Sequence, residues 1–118
     1  MSEYKLADVE AKFADIIWEQ EPIASPELVK VCEKELNWKK STTYTVLKKL
    51  IDRGIFQNDK SIVTSKISRE EFYGRQSQTY VEETFGSLPK FLTAFFLGRK
   101  LSKKEADELR AYIDDFEE

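Results

Sequence analysis

The sequence predicts a mainly α-helical protein with one small β-hairpin. Its 118 residues are the length of about one domain, and 41% of them are hydrophobic, which is enough to bury a core. Apolar side chains recur at helical spacing along most of the chain. Two short runs of strand-like composition near the middle, Ile55–Gln57 and Ile62–Ile67, interrupt this pattern and predict the hairpin.

The first predicted helix runs from Asp8 to Gln20. Its apolar stripe repeats at the helical period and consists of Val9, Phe13, Ile16, Ile17 and Trp18. Glu21-Pro22 ends this helix, because contact with the proline ring disfavours the helical conformation for the preceding residue. Ile23-Ala24 then predicts a short extended segment.

The second helix is predicted from Pro26 to about Leu36, with Ser25 as its N-cap and proline at the first helical position. The side chains expected to point inward are Leu28, Val29, Cys32 and Leu36. On this apolar face Cys32 is more simply a small buried hydrophobic residue than a redox sensor.

The third helix is predicted from Ser41 to Arg53 and is ended by Gly54. Its core stripe consists of Thr43, Val46, Leu47, Leu50 and Ile51. The opposite face carries Ser41, Tyr44, Thr45 and Lys48, with Thr42 and Lys49 on its flanks. Short hydrogen-bonding groups followed by cations suit a helix that enters the major groove of DNA. The same pattern fits an ordinary solvated amphipathic helix equally well.

The hairpin comes directly after the third helix, and residues Asn58–Ser61 are predicted to connect its two strands. Two helices, a third amphipathic basic helix and a hairpin, in this order, are typical of a winged helix-turn-helix. We therefore assign residues 1–67 to a winged-helix domain.

Residues 68–118 predict a second, helical domain. Ser68–Glu71 has the capping-box pattern and opens a helix through about Phe85. Gly86-Ser87 breaks that helix. Two further helices are predicted after this break, one from Leu88 to about Arg99 and one capped by Ser102, whose apolar stripe is Ala106, Leu109, Tyr112, Ile113 and Phe116.

Aromatic residues are concentrated in this second domain, since residues 72–116 hold nine of the fifteen in the chain. Three short helices cannot bury so many rings by themselves. We expect them to pack against the hairpin, the first helix or a second copy of the chain. The residues predicted for dimerisation are Phe72, Tyr80, Phe85, Leu88, Phe91, Phe95, Leu109, Tyr112, Ile113 and Phe116.

The net charge of −3 conceals an uneven distribution. Residues 1–29 carry two basic and seven acidic side chains, and residues 101–118 carry three basic and seven acidic ones. Residues 30–60, in contrast, carry eight basic and four acidic side chains. Because the local field rather than the net charge governs contact with a polyanion, this middle segment is compatible with DNA binding.

The rare residue types exclude most kinds of active site. The chain has no His and one Cys, so it has no imidazole base, no His/Cys metal cluster and no intrachain disulfide. Adjacent carboxylates such as Glu70-Glu71 diverge by about 100 degrees around a helix and form no acid/base pair. We predict neither enzymatic activity nor a cofactor or metal. The charged segment Met1–Lys12 and the short apolar run Phe91–Leu97 predict a cytoplasmic protein without a membrane span.

Five segments, in order, resemble the BlaI/MecI/CopY family, the penicillinase-repressor type of bacterial transcription regulator. They are Glu10–Trp18, Ile23–Leu28, Trp38–Gly54, Ser68–Phe72 and Leu101–Leu109. The most specific is Trp38–Gly54, which aligns without a gap on the family's block from tryptophan to glycine. The resemblance implies a winged helix with a C-terminal dimerisation lobe, homodimeric binding to an operator dyad, Thr42 and Thr45 at the two recognition threonines, and Lys49 at an arginine position.

The sequence also departs from the family pattern. Lys39 stands where the family has a capping serine, so the cap must come from elsewhere or the helix must start at Ser41. The wing is short and lacks the Gly-Arg tip. Relatives that answer to β-lactams are cut by a membrane protease at an Asn-Phe bond, whereas Ala94–Phe96 contains no Asn. The cysteine cluster of copper-responsive relatives is absent as well.

The leading hypothesis is a homodimeric DNA-binding repressor, with a regulatory protease as a further candidate partner. The residues predicted to contact DNA are Lys39, Lys40, Ser41, Thr42, Tyr44, Thr45, Lys48, Lys49 and Lys60. The alternative is a winged-helix module that binds a protein through the same surface. The short wing and the acidic pI of about 5.2 favour this alternative.

Overall fold

A computed structural model of the chain describes residues 5–118. In chain order its elements are α1 (Asp8–Gln20), β1 (Ile23–Ala24), α2 (Ser25–Leu36), α3 (Lys40–Asp52), β2 (Phe56–Asp59), β3 (Ile62–Ser65), α4 (Arg69–Phe85), α5 (Leu88–Gly98) and α6 (Lys103–Phe116). The predicted fold class, mainly helical with a small wing, is confirmed. Residues 1–4, part of the charged N-terminal segment, lie outside the described range. Within residues 5–118 no helix is both long and apolar enough to cross a bilayer.

The chain forms two compact units, and the division falls inside α4. The first unit extends to Ser77 and the second comprises Gln78–Glu118. The first contains α1, α2, α3, the sheet and the beginning of α4. The second contains the end of α4 together with α5 and α6.

Helix α1 has the predicted bounds. At its start the Ala7 N–H donates to Glu10 Oε1 at 3.0 Å, which gives one end-of-helix donor a partner. At its other end the Glu21 carboxylate accepts hydrogen bonds from the Ser65 N–H and hydroxyl, both at 2.8 Å. The end of α1 is thereby joined to the last residue of β3.

Helix α2 begins one residue earlier than predicted, at Ser25. The prediction of Ser25 as the N-cap is therefore wrong. Ala24 holds that position without a side-chain hydrogen bond, and Ser25 is only 4% exposed. The residues predicted to point inward are buried or half-buried: Leu28, Val29, Cys32 and Leu36. Burial raises the pKa of the Cys32 thiol, which suits a structural residue better than a redox sensor.

Helix α3 spans Lys40–Asp52, so its start precedes the predicted Ser41 by one residue. The chain turns away at Gly54, whose φ of 81° lies in the left-handed region that favours glycine. The predicted core stripe is confirmed, with Val46 and Ile51 half-buried and the remaining members fully or almost fully buried: Thr43, Leu47 and Leu50.

The three strands form one antiparallel sheet in the order β1-β3-β2. The predicted extended segment Ile23-Ala24 forms strand β1, and its Ile23 pairs with Val63 of β3. The hairpin connection is shorter than predicted, because Asn58 and Asp59 belong to β2. Lys60 and Ser61 alone form the turn, with φ values of 52° and 66°. Two successive positive φ values are the pattern of a type I′ turn, which matches the twist of the flanking strands.

An aromatic cluster around Trp18 packs the sheet and α4 against α1. The Trp18 ring lies 5.3 Å from Phe56 and 5.6 Å from Phe72 between centroids. Its indole Nε1 donates to the Ile67 carbonyl at 3.1 Å, which satisfies the polar atom of a half-buried ring. Phe72 is fully buried in this core. Its predicted role in dimerisation is wrong, because a side chain without exposed surface cannot contact a second chain.

Serine side chains cap two helices of the second unit, and the cap predicted at Ser102 is confirmed. Ser87 Oγ accepts from the Lys90 N–H at 3.3 Å, and Ser102 Oγ accepts from the Glu105 N–H at 3.1 Å. Arg99 forms a two-point ion pair with the Glu105 carboxylate at 3.0 and 2.8 Å. This contact lowers the pKa of Glu105 to about 2. The ion pair joins the end of α5 to the first turn of α6.

We predict that Phe72→Ala lowers the free energy of unfolding by about 3–5 kcal/mol, because it removes a fully buried ring and leaves a cavity. Urea unfolding monitored by Trp fluorescence measures the loss. Gln78→Ala is the control, since Gln78 lies on the same helix and is exposed. An equal effect of the two substitutions would contradict the assignment of Phe72 to the core.

Candidate nucleic-acid interface

The polar face of α3, defined as Ser41, Thr42, Thr45 and Lys48, is exposed along its length. Thr43 and Leu47 lie on the opposite side and are buried, so the orientation of this face is fixed by the core. The Thr45 hydroxyl donates to the Ser41 carbonyl at 2.8 Å. The Thr45 oxygen therefore remains available as an acceptor, and its methyl group is free to make apolar contacts.

Tyr44 differs from its prediction, because it is half-buried rather than exposed and packs against the core. Its hydroxyl donates to Ser25 Oγ at 3.3 Å. The helical spacing predicts Tyr44 on the exposed face of α3, together with Ser41 and Thr45. A large ring at the edge of such a face can still fold back onto the neighbouring helix, and here it does so.

The two lysines in the middle of α3 have different partners. Lys48 Nζ lies 2.9 Å from Asp52 Oδ2, and both side chains are largely exposed. Lys49 Nζ lies 2.7 Å from Glu10 Oε2 on α1, and the Glu10 side chain is only 14% exposed. The Lys49 hydrogen bond, followed by that from the Ala7 N–H, lowers the pKa of Glu10. The Lys49 ion pair thus links α3 to α1, whereas the Lys48 ion pair lies within α3 and is exposed to solvent.

The start of α3 carries two exposed lysines, Lys39 and Lys40. Lys39 takes the N-cap position with extended backbone and no side-chain cap bond. The alternative of a helix that starts at Ser41 is therefore wrong. The N–H groups of an uncapped first helical turn and nearby cations both attract anions.

The wing contributes a polar turn to the first unit. Lys60 lies at this turn and is exposed, as are Asn58 and Asp59. The Gln57 amide donates to Thr64 Oγ1 at 3.0 Å across the two strands. The wing tip therefore offers one cation beside one acidic side chain.

Among residues 5–118, no group of three or more His, Cys, Asp and Glu side chains could hold a metal ion. The polar face of α3 consists of hydroxyls and a cation instead. This chemistry suits contact with the bases and phosphates of DNA.

The family model for the penicillinase repressor matches residues 6–115. The chain belongs to the penicillinase-repressor family. A penicillinase repressor of Bacillus licheniformis is 23% identical over 116 residues, which cover 94% of this chain and 91% of that protein. Members of this family are DNA-binding transcriptional repressors and not enzymes. The family therefore decides between the two hypotheses in favour of DNA binding.

Two residues that contact α3 at the edge of its polar face could not be identified from the sequence. Glu10 fitted the pattern of a first-turn acidic residue, and nothing local indicated that it pairs with Lys49. Ser25 fitted the pattern of an N-cap, and nothing local indicated that it meets Tyr44. Both partners lie on another helix, where sequence spacing carries no signal.

We predict that Lys49→Ala raises the pKa of Glu10 toward its ordinary value of 4.5, because the largest cause of the lowered value is removed. A group with a lowered folded pKa adds stability above its unfolded pKa and loses it as the pH falls through the folded pKa. The wild-type protein should thus lose more stability than the variant as the pH falls below about 4.5. NMR titration of the Glu10 side chain measures the pKa, and acid unfolding measures the stability. Lys48→Ala is the control and should leave Glu10 unchanged.

Proposed function

We propose that the protein is a homodimeric, sequence-specific repressor that inserts the α3 helix of each subunit into the major groove at one half of an operator dyad. The observation that carries this proposal is the exposed polar face of α3, whose reverse side is fixed in a winged-helix core. Half-sites are then expected about one DNA turn, ~34 Å, or a multiple of it apart. Selection of bound DNA from a random pool tests the proposal. A dyad of fixed spacing supports it, whereas the absence of any common sequence contradicts it.

Within this interface we assign base contacts to Ser41, Thr42 and Thr45. Thr45 offers an acceptor oxygen and a methyl group, since its hydroxyl proton is engaged by the Ser41 carbonyl. These groups suit the amino group of adenine or cytosine and the methyl group of thymine in the major groove.

Phosphate contacts are assigned to the exposed lysines Lys39, Lys40, Lys48 and Lys60. Lys49 was also predicted to contact DNA. We expect it to contribute less to phosphate binding than the other lysines, because its amine is paired with Glu10. Phosphate contacts fix the position of a protein on the duplex and contribute a salt-dependent, sequence-independent affinity.

We assign DNA binding to the predicted domain of residues 1–67, and self-association to the part of the predicted domain 68–118 that forms the second unit, Gln78–Glu118. The first turns of α4, up to Phe72, pack in the core of the first unit. In residues 78–118, all of which are described, every side chain is half-buried or exposed. Large exposed apolar residues are concentrated there: Tyr80, Leu88, Phe95, Phe96, Leu97, Leu109, Tyr112, Ile113 and Phe116. A soluble monomer rarely exposes so much contiguous apolar surface, so a second copy of the same unit is its proposed cover.

A groove in the second unit adds to this picture. It has a volume of about 280 Å³ and is lined mainly by apolar side chains of α5 and α6, among them Phe91, Phe95, Leu109 and Tyr112. All four of these named residues were predicted to take part in dimerisation. A side chain of a partner subunit that entered the groove would shield these apolar residues from water.

The signal that releases the repressor from DNA is proposed to differ from cleavage at an Asn-Phe bond. The corresponding stretch, Ala94–Phe96, lies inside α5 and contains no Asn. A regulatory protease acting at Ala94-Phe95 or Phe95-Phe96 would need this helix to unfold locally. Mass spectrometry of the protein from induced cells separates the routes, since an intact chain with derepressed target genes excludes cleavage. We also propose that the repressor acts in the cytoplasm, where bacterial operator DNA lies.

We predict that Thr45→Ala weakens operator binding by about 1–3 kcal/mol and leaves the affinity for random DNA nearly unchanged, because base contacts carry the specificity. Fluorescence anisotropy at one salt concentration measures the affinity for operator DNA and for random DNA, and the ratio of the two affinities gives the specificity. Thr93→Ala is the matched control, since Thr93 makes the same type of hydroxyl contact within α5, to Pro89. Equal losses on both DNAs would remove Thr45 from the base contacts.

Lys48→Ala is expected to weaken binding to every sequence and to reduce the slope of log affinity against log salt by about one unit, the value for one phosphate contact. Lys49→Ala should reduce the slope less, because Glu10 holds its amine. Lys30→Ala serves as a control from an exposed site on α2. An unchanged slope for Lys48→Ala would show that this side chain lies away from the phosphates.

Ile113→Asp should dissociate the dimer, because it introduces an unpaired carboxylate into an apolar interface. Operator affinity should fall with it, since two linked half-site contacts raise each other's effective concentration. Sedimentation equilibrium at micromolar concentration measures the mass. Val9→Asp, at an exposed apolar residue of α1, is the control. A wild-type protein that sediments as a monomer would refute the dimer.

A further inference from the structure

Ser25 occupies a junction between the wing, α2 and α3. Its N–H donates to the carbonyl of Ser61, in the wing turn, at 2.8 Å. Its hydroxyl oxygen accepts from the Tyr44 hydroxyl at 3.3 Å. Ser25 is 4% exposed, so its own side of both contacts is shielded from water. One residue thus connects the turn of the wing with the helix that carries the polar face.

The backbone on both sides of Ser25 is fixed. The preceding residue, Ala24, pairs with Ile62 of β3, directly after the turn. The following residues form α2. Ser25 cannot shift without moving either the strand pairing or the helix, so it is a firm point of attachment for a side chain from α3.

Tyr44 provides that side chain. Its ring is half-buried and packs against the core, and its hydroxyl is directed to Ser25. Thr45 is the next residue along α3 and belongs to the polar face. Any rotation of α3 that released Tyr44 would therefore also displace Thr45.

We propose that Tyr44 and Ser25 are a positioning pair, which sets the orientation of α3 relative to the wing and thereby the specificity of operator binding without either residue touching DNA. The proposal rests on the proposed function, since it assumes that α3 contacts base edges. Base contacts depend on geometry more strongly than contacts to a flexible, repeating phosphate backbone do. Loss of the pair should consequently lower specific binding more than general affinity.

A double-mutant cycle tests this role, with Tyr44→Phe, Ser25→Ala and the double variant measured in the full-length protein. Each single substitution is expected to lower operator affinity about three- to tenfold, the range of one hydrogen bond. The double variant should lose no more than the larger single loss. Affinity for random DNA and the salt slope should stay as in the wild type. Losses that multiply in the double variant would show that the Tyr44 hydroxyl acts independently of Ser25, and would overturn the proposal.

A measurement without DNA separates the failure of this pair from the failure of the proposed function. Amide NMR shifts of the free protein are compared between the wild type and Tyr44→Phe. A positioning link predicts changes at Ser61 and Ile62 in the wing, 17 and 18 residues away in sequence. Changes confined to α3 would refute the link even if operator binding is normal. Tyr73→Phe, in the aromatic cluster around Trp18, controls for the loss of a tyrosine hydroxyl elsewhere.

Discussion

The burial of one side of α3 is the constraint on which the interface depends. Thr43, Leu47 and Leu50 lie in the core, and the helical period then turns Ser41 and Thr45 toward solvent. An amphipathic helix that is fixed on its apolar side presents its polar side in one orientation only. The surface that we propose for DNA binding is therefore a consequence of core packing.

Burial alone leaves a helix free to slide or rotate slightly, and polar contacts at both sides of α3 limit that freedom. Lys49 joins α3 to Glu10 on α1, and Tyr44 joins it to Ser25 at the start of α2. The wing is attached to the same framework, through Ser25 at one point and through Glu21 at another. Hydrogen bonds are directional, so they add orientation to a core that is held together by non-directional hydrophobic burial.

The second unit differs from the first in that none of its side chains is fully buried. Its helices are well capped and its Arg99–Glu105 ion pair fixes the connection between α5 and α6. Its apolar side chains nevertheless remain partly in water, because about 40 residues enclose too little volume for a core of their own. Self-association would complete such a unit, and it would also link two DNA-binding surfaces in one molecule. Stability and avidity would then come from the same interface.

The fold class, the bounds of nearly every helix to within a residue, and the cap at Ser102 could all be predicted from the sequence. These features depend on signals within a few residues of the chain, such as a proline, a glycine or a serine at a helix end. The exposed positions of Ser41, Thr45 and Lys48 followed in the same way from the helical period. Tertiary structure alone decided that Ser25 is buried, that Tyr44 folds back onto it, that Lys49 is held by Glu10 and that Phe72 is a core residue. Periodicity fixes the direction in which a side chain leaves its helix, whereas its partner belongs to a segment 19 or more residues away and is chosen only when the helices pack.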